Sequence, residues 1–261
     1  MQLSQAQVEQ FERDGYIFIE NLFSADEIGV MRREAERLYA QDRQEIQREK
    51  DGKTVRTVFA AHHFSAVYEL VARHPRLAGP AMQLLGGPIY IHQFKINAKA
   101  AFDGDVWQWH QDYGTWSRDD EMPEARAMNV AVFLDGVNAF NGPLYLIPGS
   151  HRRGVIEAGH DVATTSYPLW TLDKRTIAEL VEQGGIVGPT GPAGAGLMFH
   201  GCLVHGSPPN MTPWGRTIVY VSCNRVDNAI RRFKRPEYIA HRDFTAIELA
   251  DDDCLMRLAA A

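Results

Sequence analysis

His110 and Asp112 stand two apart in the run Val106-Trp107-Gln108-Trp109-His110-Gln111-Asp112-Tyr113. The β-branched and aromatic neighbours favour a strand, and side chains two apart on a strand leave from one face, so an imidazole and a carboxylate can meet at one point. Trp107 and Trp109 then face the other way, into an apolar layer that stiffens the backbone. One imidazole and one carboxylate make an incomplete metal site. A second histidine gives the two-histidine, one-carboxylate facial set that holds non-haem Fe(II) and leaves positions open for reactants.

Two histidines compete for that place, His200 and His205, and Arg216 decides between them. After Val204-His205-Gly206-Ser207, the Pro-, Asn- and Gly-rich run to Gly215 is a turn by composition, so Arg216 starts a returning strand beside the metal. Its planar fork suits a carboxylate. 2-Oxoglutarate fits this pair, because its C1 carboxylate and keto oxygen chelate iron while its far carboxylate needs a cation. The expected metal ligands are therefore His110, Asp112 and His205, with Arg216 as the carboxylate anchor.

Rigid elements must present these groups. Short alternating runs after Pro88 predict antiparallel strands at residues 89–97, 106–110, 128–134, 144–147, 197–199 and 217–224, a mainly β sandwich or barrel. On the first of these, Gln93, Lys95 and Asn97 share a polar face opposite Phe94 and Ile96, and that polar face is expected to turn to the metal. Tyr113, Trp116 and Ser207 flank the ligands in sequence and are expected to touch cofactor or substrate. Before Pro88 the pattern is helical: Ser4 with Gln7 and Ser24 with Glu27 form capping boxes, the first helix stops at Gly15, and further helices follow at 65–73 and 77–85. A short strand at 16–19 intervenes, and the charged stretch 42–53 is expected to be solvated or mobile.

With 261 residues and 45% hydrophobic content, one domain is expected, made of a helical wrap (1–87), a β core (88–228) and an outer tail (229–261). The net charge of -6 argues against a nucleic-acid surface, and no apolar run is long enough for a bilayer. Cys202, Cys223 and Cys254 read as reduced thiols, and the opening residues lack the basic and apolar parts of a secretory signal, so a cytoplasmic location is expected. Two patterns carry no chemistry in this reading. Gly188, Gly191 and Gly194 are too few for a triple helix, and His241-Arg242-Asp243 repeats the His-x-Asp spacing where a surface helix is expected to start.

The pattern His110-x-Asp112, His205 and Arg216 resembles the phytanoyl-CoA dioxygenase family of Fe(II)/2-oxoglutarate oxygenases. Val55-Arg56, the run from His92 to Asn97, the run from Gly104 to Tyr113, Asn141-Gly142-Pro143-Leu144, Pro148-Gly149-Ser150-His151 and the run from Asn224 to Asn228 resemble, within it, bacterial hydroxylases of free L-proline that give trans-4-hydroxyproline. Ectoine hydroxylases share much of this skeleton, including a Trp at the place of Trp116, but usually carry Phe-Glu-Thr where this chain has Tyr113-Gly114-Thr115. The resemblance implies a double-stranded β-helix (jelly-roll) core, Fe(II), 2-oxoglutarate and O2 as cofactors with ascorbate as a stimulant, and cofactor or substrate contacts from Lys95, Asn97 and Ser207. It points first to a free amino acid, L-proline, and second to ectoine or a similar metabolite, or to desaturation or epimerisation on the same iron. A non-catalytic metal-binding cupin-like protein is the reading outside enzymology, and closed, Cys-rich structural zinc sites argue against it.

An amino-acid substrate brings its own carboxylate into a buried site, and Arg216 is already engaged, so a second cation is required. Arg56, following the Asp51-Gly52-Lys53 turn and matching the Val-Arg pair of the proline hydroxylases, is the expected anchor, with Gln93 and Trp116 as further substrate contacts.

Overall fold

In the computed structural model, which describes residues 1–165 and 167–260, local capping chemistry sets the N-terminal helices. The Ser4 hydroxyl accepts from the Gln7 amide at the start of α1 (Gln5–Asp14), and the Gln7 side chain accepts from the Ser4 amide. Ser24 and Glu27 repeat this box at α2 (Ala25–Tyr39). The first helix stops at Gly15, whose φ of 82° suits glycine, and a Cβ there would stand 2.5 Å from His151 Nδ1.

Among the described residues, twelve strands form two antiparallel sheets. The larger one contains β1 (Tyr16–Ile19), β2 (Ile46–Arg48), β3 (Val55–Phe59), β4 (Ile89–Lys99), β6 (Ala127–Phe133), β10 (Gly196–His200) and β12 (Arg216–Arg225), in the order β1-β10-β6-β12-β4-β3-β2. The smaller contains β5 (Trp107–His110), β7 (Tyr145–Leu146), β8 (Gly159–Asp161), β9 (Leu169–Thr171) and β11 (His205–Ser207), in the order β7-β11-β5-β9-β8. The remaining helices are α3 (Ala66–Ala72), α4 (Pro75–Leu85), α5 (Asp112–Asp119), α6 (Lys174–Gly184) and α7 (Cys254–Ala260). This is the double-stranded β-helix, or jelly roll, with its two sheets facing each other and not closed into a barrel.

Strand alternation divides the large sheet into two working faces. Phe94, Ile96, Val130, Val132, Met198, Val219 and Val221 pack outward onto a core shared with Met31, Leu38, Tyr68 and Leu77 of α2–α4. The intervening Ala131, Phe133, Phe199, Ile218 and Tyr220 point inward, between the sheets. Leu38 is fully buried in the outer core, so Leu38→Ala is expected to lower unfolding stability by roughly 2–5 kcal/mol in a urea titration. A change below about 0.5 kcal/mol would mean that the helical layer is a loose appendage.

Three expectations are corrected by this arrangement. Residues 1–87 are not only a helical wrap, because β1 pairs with β10 and β3 with β4, extending the large sheet at both edges. The charged stretch 42–53 contains β2, where Ile46 is buried and pairing with β3 satisfies the backbone. Nor is the stretch after Arg225 merely outer cover. It runs along β4 beyond the end of β3, with the His241 amide donating to His92 O at 2.9 Å and the Ile247 amide to Ile89 O at 2.8 Å, and it buries Ile230, Ile239, Ala240 and Leu255. Among the described residues, no helix is long and apolar enough to cross a membrane.

Candidate active site

The cavity lies between the two sheets, about 650 Å³ of empty space when the solvent at its open mouth is included. β4 supplies Gln93, Lys95 and Asn97, β12 supplies Arg216 and Tyr220, and β5 and β11 supply His110 and His205.

His110 and His205 face each other across a β5–β11 register pair, with ring centroids 4.1 Å apart. Asp112 reaches them from a different element than expected. β5 ends at His110 and Asp112 opens α5, so a strand-to-helix turn, not one continuous strand, brings the carboxylate beside the imidazole. Gln111 locks that turn by donating to the carbonyls of Gly154 and Cys202 at 2.8 and 2.7 Å and accepting from the Ile156 amide. The Asp112 oxygens lie 3.7 Å from both His110 Nε2 and His205 Nε2. His200 is elsewhere, its Nδ1 accepting from the Cys202 amide and its ring against Phe11 and His151.

Tautomers follow from the partners. His110 Nδ1 contacts Gln108 O at 2.6 Å and His205 Nδ1 contacts Leu203 O at 2.9 Å. A carbonyl can only accept, so each Nδ1 carries the proton and each Nε2 lone pair points at the carboxylate. Burial, reinforced by repulsion from His110, pulls His205 down to about 3, which keeps it an uncharged ligand. Burial alone would raise the Asp112 carboxyl, but the Lys95 ammonium at 3.9 Å leads the causes that overcome it and hold Asp112 well below the usual carboxylate range. Asn129 Nδ2 donates to Asp112 Oδ2 at 2.7 Å and itself accepts from Ser222 Oγ at 2.6 Å. Two neutral imidazoles and one oriented carboxylate on one side of an open cavity fit Fe(II).

Arg216 is 2% exposed and begins β12. Its Nη2 donates to Ser207 Oγ at 3.1 Å, its Nε is buried with no hydrogen-bond partner, and among the described residues it has no carboxylate partner. Ser207 therefore works on Arg216, holding the fork while its hydroxyl donates to Gly142 O. Asn97 lines the cavity and accepts from Thr57 Oγ1 at 3.0 Å.

Other expected contacts fall elsewhere. Tyr113 is packed in a separate core cluster, with its hydroxyl donating to Met122 O, and does not line the cavity. Asp112, Thr115 and Trp116 do, since residues three and four apart share a helix face and the next residue leaves it. Trp109 enters an apolar layer as expected, but Trp107 lines the cavity at the bulged end of β5. Arg56 is buried under Trp107, 4.0 Å from the ring, and is bound to Glu49 at 2.9 Å and to Val106 O. A neutralised arginine outside the cavity lining is not available to a substrate carboxylate, so that assignment is withdrawn.

The cation missed in the sequence is Arg235. It reaches the cavity from the C-terminal segment, with Nε donating to Asp120 Oδ1 at 2.8 Å and Nη2 to Oδ2, while Asp120 also meets His92 at 3.2 Å. Hydrogen bonding to Asp120 outweighs burial and keeps the guanidinium charged. Lying in a polar run without periodicity, Arg235 left only one sequence signal: the need for a second cation.

Comparison with known proteins agrees with this geometry. The family model described as phytanoyl-CoA dioxygenase (PhyH) matches residues 11–218. The chain is 37% identical to an ectoine dioxygenase of Bordetella parapertussis, over 95% of this chain and 86% of the relative. It is 33% identical to an L-proline trans-4-hydroxylase of Streptomyces griseoviridis, over 94% and 96%. EctD from S. alaskensis, solved with 2-oxoglutarate and 5-hydroxyectoine, superposes with a TM-score of 0.85 at 36% identity over 95% of this chain and 87% of that one, and the same protein has been solved with bound Fe. The chain therefore belongs to the phytanoyl-CoA dioxygenase family, as a 2-oxoglutarate-dependent dioxygenase that uses Fe(II) and O2.

Proposed function

We propose that the enzyme hydroxylates a small cyclic amino-acid-like carboxylate, with ectoine as the favoured substrate. One observation carries the reading: the buried Arg216 and the half-buried Arg235 line one cavity, one for each of two carboxylates. The ectoine dioxygenases, at 36–37% identity in several organisms, and the likeness to a structure holding 5-hydroxyectoine move ectoine ahead of the L-proline expected from the sequence. L-Proline is the second reading, favoured by Tyr113-Gly114-Thr115 and by the proline hydroxylase that the match spans almost end to end.

Bound Fe(II) and 2-oxoglutarate supply O2 activation coupled to decarboxylation of the oxoacid to succinate. His110, Asp112 and His205 would hold the metal, and Arg216, steadied by Ser207, would hold the far carboxylate of the oxoacid. Arg235 retains donors beyond those given to Asp120, which a substrate carboxylate can take. Phe59, Trp107, Trp116 and Tyr167 wall the cavity, excluding water and presenting ring faces to a cationic ring or ammonium. Orientation is the protein's main task, because a strong oxidant attacks whichever C–H bond lies nearest.

The test is parallel assay of ectoine and L-proline with Fe(II) and 2-oxoglutarate, reading succinate and a product one oxygen heavier. Ectoine is expected to turn over faster, and Arg235→Ala to raise the KM for substrate at least about tenfold while leaving that for 2-oxoglutarate within about twofold. Faster turnover of L-proline promotes the second reading. A normal substrate KM in Arg235→Ala removes the anchor.

A further inference from the structure

A second group of imidazoles converges on the far side of β4, away from the iron site. His62 and His63 end the 3-10 turn Ala61–His63 that follows β3, and His241 comes from the C-terminal segment. Ring centroids are 4.0 Å apart for His62–His63 and 4.8 Å for each of the pairs with His241, close to the 4.1 Å of the iron pair. One nitrogen from each ring falls within 4.8 Å of the others.

Packing alone accounts for part of this, since His62 also lies over Phe94 at 5.0 Å. It does not account for the nitrogens. Among the described residues, His62 Nδ1 and His241 Nε2 are buried and have no hydrogen-bond partner, an unfavourable state for a buried polar atom. His241 Nδ1 meets Glu237 O at 2.9 Å, so it carries the proton and leaves Nε2 as a bare lone pair. The same contact, an Nδ1–H to a backbone carbonyl, orients His110 and His205 in the iron site. Burial and the neighbouring rings hold His241 down to about 3, so the ring is neutral at physiological pH. Asp243 and Glu248 line the open groove alongside, together with Glu69, which is paired with Arg73 at 3.4 Å. The expectation of a surface helix start at His241 is thus corrected: His241 is 2% exposed and lies outside any helix.

We propose that His62, His63 and His241 form a second metal site, which takes a divalent transition ion of the zinc type through three imidazoles and keeps one position open to water. Such an ion would pin the C-terminal segment to the 3-10 turn, and that segment carries Arg235 six positions before His241. The site is independent of which substrate the cavity takes.

Equilibrium dialysis of the full-length chain against Zn2+ tests it, because Zn2+ also enters the iron site and serves as an internal control of folding. The wild type is expected to hold two equivalents, and a His110→Ala/His205→Ala chain to hold one. His63→Ala, at an exposed ring, is expected to keep the iron-site equivalent and weaken the other more than about 100-fold. Hydrogen exchange over residues 236–250 should slow on addition of Zn2+ in the wild type and not in His63→Ala. A single equivalent in the wild type, or a second one unaffected by His63→Ala, overturns the site and leaves three rings that only stack.

Discussion

Asp112→Ala is expected to reduce succinate formation by more than about a thousandfold while the melting temperature falls by only a few degrees. The carboxylate is the one anionic ligand of the metal set, with both Nε2 atoms at 3.7 Å. Two neutral imidazoles retain no charge complement for a dication, so iron content should fall with activity. The folding cost is limited because the lost charge leaves Lys95 at the cavity wall, where deprotonation or water relieves it. Asn129→Ala grades the same effect: losing the hydrogen bond to Asp112 Oδ2 is expected to weaken metal binding roughly 10–100-fold without abolishing turnover. His205→Ala should match Asp112→Ala, whereas His200→Ala, whose ring is bound to the Cys202 amide, should leave iron content unchanged. Full iron occupancy in Asp112→Ala would remove the triad.

What could be read from the sequence follows from the range of the interaction responsible. The capping boxes at Ser4 and Ser24 are local, and their residues specify them. Strand parity is local as well, so the sequence alone specifies the polar face of Gln93, Lys95 and Asn97 that lines the cavity. At Asp112 the reading kept a strand period where the chain had become a helix. Adjacency in sequence alone points to Tyr113 as a neighbour of the ligands, whereas the helical period selects Thr115 and Trp116. Arg56 and Arg235 show the other limit. Arg56 lies in the buried strand β3 and Arg235 in a polar segment, and long-range pairing decides their roles: Glu49 neutralises Arg56 beneath Trp107, while the tail carries Arg235 to the cavity wall. No periodicity encodes that choice. His241 is hard to read locally because His-x-Asp is a weak pattern and its two imidazole neighbours stand almost 180 positions earlier.

Arg216→Ala is expected to raise the requirement for 2-oxoglutarate by roughly 30-fold to several thousandfold. The range follows from the 2–5 kcal/mol lost when one partner of a buried, hydrogen-bonded charge pair is removed, at 1.4 kcal/mol per factor of ten. Arg216 differs from Arg56 and Arg235 in what it lacks. Arg56 is paired with Glu49 and Arg235 with Asp120, but Arg216 meets only the hydroxyls of Ser207 and Tyr220 and, among the described residues, no carboxylate within ion-pair distance. A buried guanidinium in that state is poised for a bidentate carboxylate, and the arriving ligand recovers part of the desolvation cost already incurred on folding. Arg216→Lys should restore only part of the affinity, because an ammonium has no fork and its stem cannot reproduce the contact with Ser207. Ser207→Ala should cost less than either change, since the charge stays and only its orientation loosens. Substrate KM should move little in all three variants, which separates this arginine from Arg235. Saturation of Arg216→Ala at the wild-type concentration of 2-oxoglutarate would transfer the anchor to Lys95, the remaining cation on the cavity wall beside Asp112.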